Sequence, residues 1–175
     1  MNKLLASILL IALRPDFGLS QNINQPVETP ESKYYEFWEG TWFKYENGKI
    51  DTSGTYFKVK RSIHSAAFQE HWRLVIDAET TVFAAALRAW DKTESKWKYV
   101  WISEDSLFQV WEGVKVEDDW YISKTFEING EQILSRQAWI LQKDGLVLRT
   151  SEWSKDNGKS WNLRFKEHYK KVEAP

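Results

Sequence analysis

The chain has 175 residues, 24 Lys and Arg against 25 Asp and Glu, a net charge of −1 and no cysteine. Zero cysteine excludes disulfide-stapled and thiolate-metal classes. The charge balance supplies neither the basic excess expected of a nucleic-acid binder nor a polybasic tract for a membrane surface.

The first segment reads as a secretory signal over residues 1–20. Lys3 gives a charged start, Leu4 to Leu13 is an apolar run, and Gly18-Leu19-Ser20 offers small residues before a cut at Gln21. The run is too short for a bilayer span, which needs roughly 20 apolar residues. A soluble product without stable membrane insertion, exported to the periplasm or the medium, is expected. The product then has about 155 residues, an ordinary size for one domain. Residues 21–36, with Pro26 and Pro30, read as a flexible lead-in. The segment Ser32 to Trp38 also admits a short helix.

From Phe37 to the end at 175 the chain reads as one all-β domain. Apolar and polar residues alternate with the period of a half-buried strand. Strands are expected near 40–46, 54–63, 67–76, 82–90, 96–103, 107–113, 119–128, 132–141, 145–153 and 161–171. Turn signals fall between them: Asn47-Gly48, Asp91 to Ser95, Asn129-Gly130, Asp144-Gly145 and Asp156-Asn157-Gly158. Such a series of short strands predicts an antiparallel up-and-down meander of about eight to ten strands. Closing it into a barrel removes the exposed edges. A two-sheet sandwich is the alternative, and it needs long crossovers that the sequence lacks.

Two motifs refine this. Glu39-Gly40-Thr41-Trp42 opens the first strand with Gly-x-Trp. It resembles the first-strand signature of the calycin barrels, lipocalins among them. That resemblance implies a barrel whose Trp42 plugs the closed end under a basic residue of the last strand, with Arg164 the first choice and Lys166 or Lys170 the others. It supplies no catalytic residues. Ser154 to Trp161 fits the Ser-x-Asp-x-Gly-x-x-Trp hairpin found in sialidases. There Asp156 caps turn amides, Gly158 accepts positive φ, and Trp161 packs over the hairpin. The motif occurs once, which suits a structural role. Together with the closing strand these features resemble exported bacterial calycin-like domains of unknown function.

Eleven tryptophans stand out. Buried indoles give large apolar area and one N–H that needs a partner. They read either as core or as the lining of a ligand cavity. Charged residues also share faces with apolar ones: Glu70, Arg88, Lys124, Arg136, Arg149 and Glu167. If these point inward they must pair with one another or contact a polar ligand group. The expected site is therefore bounded by Trp72, Trp97, Tyr99, Trp101 and Trp120, with Glu70, Arg88, Arg136 and Arg149 as its polar layer. The basic members outnumber the acids, which favours an anionic amphipathic ligand. His64, His71 and His168 do not suggest a metal site, since nothing in their spacing brings ligands together. No cofactor fingerprint or nucleophile motif is present. Three function classes stay open: a small-molecule-binding protein, an enzyme using Glu70 as acid/base on a glycan or lipid-like substrate, and a filled-barrel interaction domain.

Overall fold

A computed structural model describes residues 28–172. Eleven strands follow one 3-10 turn, Glu31–Lys33: β1 (Gly40–Glu46), β2 (Lys49–Ile50), β3 (Tyr56–Arg61), β4 (Ala67–Val75), β5 (Thr81–Asp91), β6 (Lys96–Ser103), β7 (Phe108–Val116), β8 (Asp119–Ile128), β9 (Glu131–Leu141), β10 (Val147–Ser154) and β11 (Asn162–Val172). From β3 to β11 each strand pairs with the next, β3 pairs with β1, and β11 closes the circle on β1. Every pairing is antiparallel. The result is the expected up-and-down meander, closed into a ten-stranded barrel. β2 is a two-residue arm that pairs only with β1.

The barrel is closed at the end where β1 begins. Residues 30–39, most of them read as lead-in, pack into that end, with Tyr35 and Trp38 fully buried. The expected helix is the single 3-10 turn Glu31–Lys33. Three tyrosine and tryptophan side chains tie the segment to the wall. Trp97 Nε1 donates to the Glu31 carbonyl at 3.1 Å, Tyr34 donates to Asp119 at 2.7 Å, and Tyr35 donates to the Trp120 carbonyl at 3.2 Å. The charge and proline content of this stretch hides its buried aromatics; they satisfy the barrel end as a plug. The signal segment and residues 21–27 lie outside the described residues.

Trp42 does sit at the closed end, 2% exposed, with its indole N–H donating to the Trp38 carbonyl at 2.8 Å. The basic residue over its ring is Lys171 at 5.7 Å, not Arg164. Register explains the difference: Trp42 pairs with Lys171 across the β1–β11 seam. Gly40 has a φ of +136°, and a Cβ there would overlap the Lys171 side chain. The glycine of Gly-x-Trp thus leaves room for the lysine stem as well as adopting a conformation closed to L side chains.

Arg164 stands near the opposite rim, beside Ile133, Trp153 and Lys155. Ser151 faces Phe165 while Glu152 faces Leu163, so Arg164 is the extra residue of a β-bulge. The bulge reverses the face of everything before it. Phe165, Glu167 and Tyr169 point inward, whereas Leu163 is 54% exposed on the outer wall. The unbroken alternation expected over 161–171 fails at this bulge.

Candidate functional site

The interior is built in layers. Near the closed end, Trp90, Trp97 and Trp120 pack edge to face, with ring centroids 5.5 and 5.8 Å apart, and Trp97 also meets Tyr35 at 4.9 Å. Trp97 and Trp120 were expected to bound a cavity; both instead fill the core beneath it. Offset and edge contacts of this kind add about 0.5–1.5 kcal/mol per pair beyond area burial.

Above that layer lies a buried ion pair. Arg88 Nε donates to Glu70 Oε1 at 2.9 Å, and both side chains are fully buried. Glu70 also accepts from Trp38 Nε1 at 2.9 Å and from Trp72 Nε1 at 3.0 Å. The Arg88 guanidinium is surrounded by rings, 4.4 Å from Tyr35, 4.5 Å from Trp139, 4.8 Å from Tyr99 and 5.3 Å from Trp38. Its Nη1 and Nη2 atoms have no conventional acceptor among the described residues. The ring faces supply the electron density instead. Burial, joined by the nearby Glu70 charge, holds the Tyr99 phenol well above its ordinary pKa. Burial likewise pushes Tyr35 up to about 12. Both phenols are therefore neutral donors at physiological pH.

Tyr99 and Trp139 cap this pair and form the floor of a cavity of about 180 Å³. Trp101, Trp111 and Ile122 make its apolar wall. Gln109, Gln137 and Arg149 make its polar side. Arg149 is positioned by its strand neighbours, since it pairs with Trp139 on β9 and Glu167 on β11. Its Nη1 donates to Glu167 at 3.1 Å and its Nη2 to Gln137 at 3.3 Å. Arg149 Nε, Trp139 Nε1 and Ser151 Oγ are buried and lack a hydrogen-bond partner among the described residues. Ser151 faces Gln137 across the β9–β10 pair, on the same inner surface.

Of the expected site residues, Tyr99, Trp101 and Arg149 line this cavity. Trp72 stands behind it, 5.3 Å from the Arg149 guanidinium and 5.8 Å from Trp101. Glu70 and Arg88 are sealed below the floor. Arg136 is on the outer wall. It lies three residues from inward-facing Trp139, so strand alternation turns it outward, and it pairs with Glu152 at 2.6 Å. Its guanidinium is stacked between Trp161 at 3.8 Å and Tyr121 at 4.8 Å. The sequence grouped Arg136 correctly with Leu134, Ala138 and Ile140, but that apolar row faces outward, and the β10–β11 hairpin lies over its Leu134–Arg136 end.

That hairpin uses the residues expected of it. Asp156 accepts from Ser154 Oγ at 2.6 Å, from the Ser160 amide at 2.9 Å and from Ser160 Oγ at 2.6 Å. These bonds, the Ser154 one foremost, lower the Asp156 pKa to about 2. Gly158 has φ +84° under the edge of Trp161.

Sequence reasoning missed Gln109, Trp111, Ile122, Gln137 and Trp139. The signal for Trp139 was its odd spacing from Ser135 and Gln137. It was obscured because the even row, Leu134, Ala138 and Ile140, is the more apolar. Among the described residues no group of three or more His, Asp or Glu side chains could hold a metal ion. His71 and His168 lie in the outward rows of β4 and β11, and His64 Nδ1 accepts from the Ala66 amide at 3.2 Å. No protein-family model and no curated protein matches this chain.

Proposed function

We propose that this is an exported binding protein that holds a small hydrophobic or amphipathic molecule inside a calycin-like barrel. The observation that carries the reading is the aromatic-floored cavity with Arg149 at its side. A barrel built only for packing fills its interior with side chains, as the layers below Tyr99 do. A cavity with one guanidinium and two glutamines beside three indoles has the make-up of a ligand site: apolar walls and a few convergent polar groups. Native mass spectrometry of protein purified from its source tests this. A retained mass that departs on denaturation supports the reading; a bare polypeptide whose cavity also accepts no added probe contradicts it. N-terminal sequencing of the exported product should begin at Gln21, and an intact Met1 would contradict export.

Glu70 as an acid/base catalyst is disfavoured by its surroundings. It is fully buried, bound by three donors, and separated from the cavity by the Arg88 cage. An interaction domain has one observation behind it. Phe83, Leu87, Ile102, Phe108, Val110 and Val114 are all more than 40% exposed on the outer face of the adjacent strands β5, β6 and β7. Contiguous apolar faces of this kind favour partner contacts. Sedimentation over a concentration series checks self-association, which Phe108→Glu should abolish.

A further inference from the structure

The polar side of the cavity is made of hydrogen-bond donors. Arg149 spends one N–H on Glu167 and one on Gln137, leaving Nε without a partner. Trp139 Nε1, on a side chain 1% exposed, is also unpartnered, as is the Ser151 hydroxyl, fully buried on the same inner surface. A buried donor without an acceptor costs about 1–3 kcal/mol. Two of them, on residues that line the cavity, call for an acceptor-rich group there. A carboxylate has two oxygens and about four lone-pair sites, enough for both donors, and its two oxygens match the edge of a guanidinium.

Charge points the same way. Arg149 and Lys44 carry two positive charges around Glu167, with Lys44 Nζ at 3.8 Å and Arg149 Nη1 at 3.1 Å from its oxygens. Glu70 and Arg88 cancel below the floor. Glu167 is thus shared between two cations, which leaves one positive charge in surplus around it for a monoanion to balance.

Size fixes the rest of the ligand. The cavity is about 180 Å³, close to the roughly 150 Å³ apolar cavity that holds one benzene molecule. It is bounded below by Tyr99 and Trp139, which are themselves stacked on Arg88, so it cannot deepen along the barrel axis. A long acyl chain exceeds this volume. A single ring matches it, with Trp101 and Trp111 in the wall.

We infer that the cavity takes a compact, single-ring monocarboxylate, with the acid group on Arg149 and Trp139 and the ring against Trp101 and Trp111. This rests on the reading of the barrel as a ligand carrier and specifies which chemistry it carries.

Calorimetric titration with benzoate, benzamide and dodecanoate tests it. Benzoate should bind at least tenfold more tightly than benzamide and than dodecanoate. Arg149→Leu should weaken benzoate at least tenfold and bring it level with benzamide. Arg149 also holds Glu167, so Trp139→Phe provides a second variant, which removes the N–H together with the five-membered ring; it should weaken benzoate severalfold more than it weakens benzamide. Equal binding of benzoate and benzamide overturns the carboxylate assignment, tighter binding of dodecanoate overturns the single-ring assignment, and either result leaves the carrier reading standing. Failure of all three probes and of an apolar dye to enter overturns both.

Discussion

Glu70 and Arg88 form the deepest polar contact in the barrel, and their surroundings predict how they respond to change. Removing one member of a buried pair strands the other charge and costs about 3–5 kcal/mol. Glu70→Leu should reach that range, because Arg88 would keep its ring cage but lose its only charge partner among the described residues. The double change Glu70→Leu with Arg88→Met should recover much of the loss, since both side chains are apolar and of similar volume. Urea unfolding of the two single variants and the double variant checks this; two additive penalties would show that the pair is not the unit. Asp156 offers a pH test at the same scale. Its pKa is about 2 in the folded protein against about 3.9 when unfolded. Its contribution to the hairpin is therefore complete above about pH 4 and is lost as pH falls toward 2. A carbon-detected NMR titration should place its midpoint near 2, and a value near 4 would mean that the Ser154 and Ser160 bonds do not persist in solution.

At the scale of elements, two structures join separate parts of the chain. The first is the seam, where Gly40, Trp42 and Lys171 interlock across β1 and β11. Gly40→Ala should destabilise the barrel by about 1–3 kcal/mol, the usual cost of forcing a side chain into a disfavoured backbone conformation. Thermal unfolding reads this, and an unchanged midpoint would remove the seam's strain argument. The second is the clasp of Trp161, Arg136 and Tyr121 over the outer wall. A double-mutant cycle on Arg136 and Trp161 should give a coupling of about 0.5–2 kcal/mol; zero coupling would make the stack incidental. These elements also show what the sequence revealed. Period-two alternation and hairpin turn residues marked ten strands and their order, because both are local properties. Facing was legible for β4 and β6, where one row is clearly more aromatic, and for β5, where Trp90 marks the inward row. It was not legible for β9, where both rows are apolar, nor for β11, where the bulge at Arg164 shifts the alternation. Arg136 was misplaced for the first reason, and Arg164 because Trp42 pairs with Lys171 at the other end of β11. Gln109 and Gln137 were overlooked because an inward glutamine has no sequence mark apart from the facing of its strand.

The whole molecule is a barrel with one closed end, a filled lower half and a cavity above it. The plug of residues 30–39, the aromatic layer of Trp90, Trp97 and Trp120, and the caged Glu70–Arg88 pair together support the floor made by Tyr99 and Trp139. This order separates the tryptophans by role, although their chemistry is identical. Trp101, Trp111 and Trp139 line the cavity, Trp97 and Trp120 are core, and Trp161 covers the outer wall. The eleven indoles are therefore built-in reporters of where a ligand sits. The most direct measurement is an indole N–H correlation spectrum recorded during titration with benzoate. The Trp101, Trp111 and Trp139 signals should move together with one dissociation constant, while those of Trp97, Trp120 and Trp161 stay in place. Movement confined to Trp161 would contradict a ligand site inside the barrel, and no movement of any indole would contradict the monocarboxylate assignment.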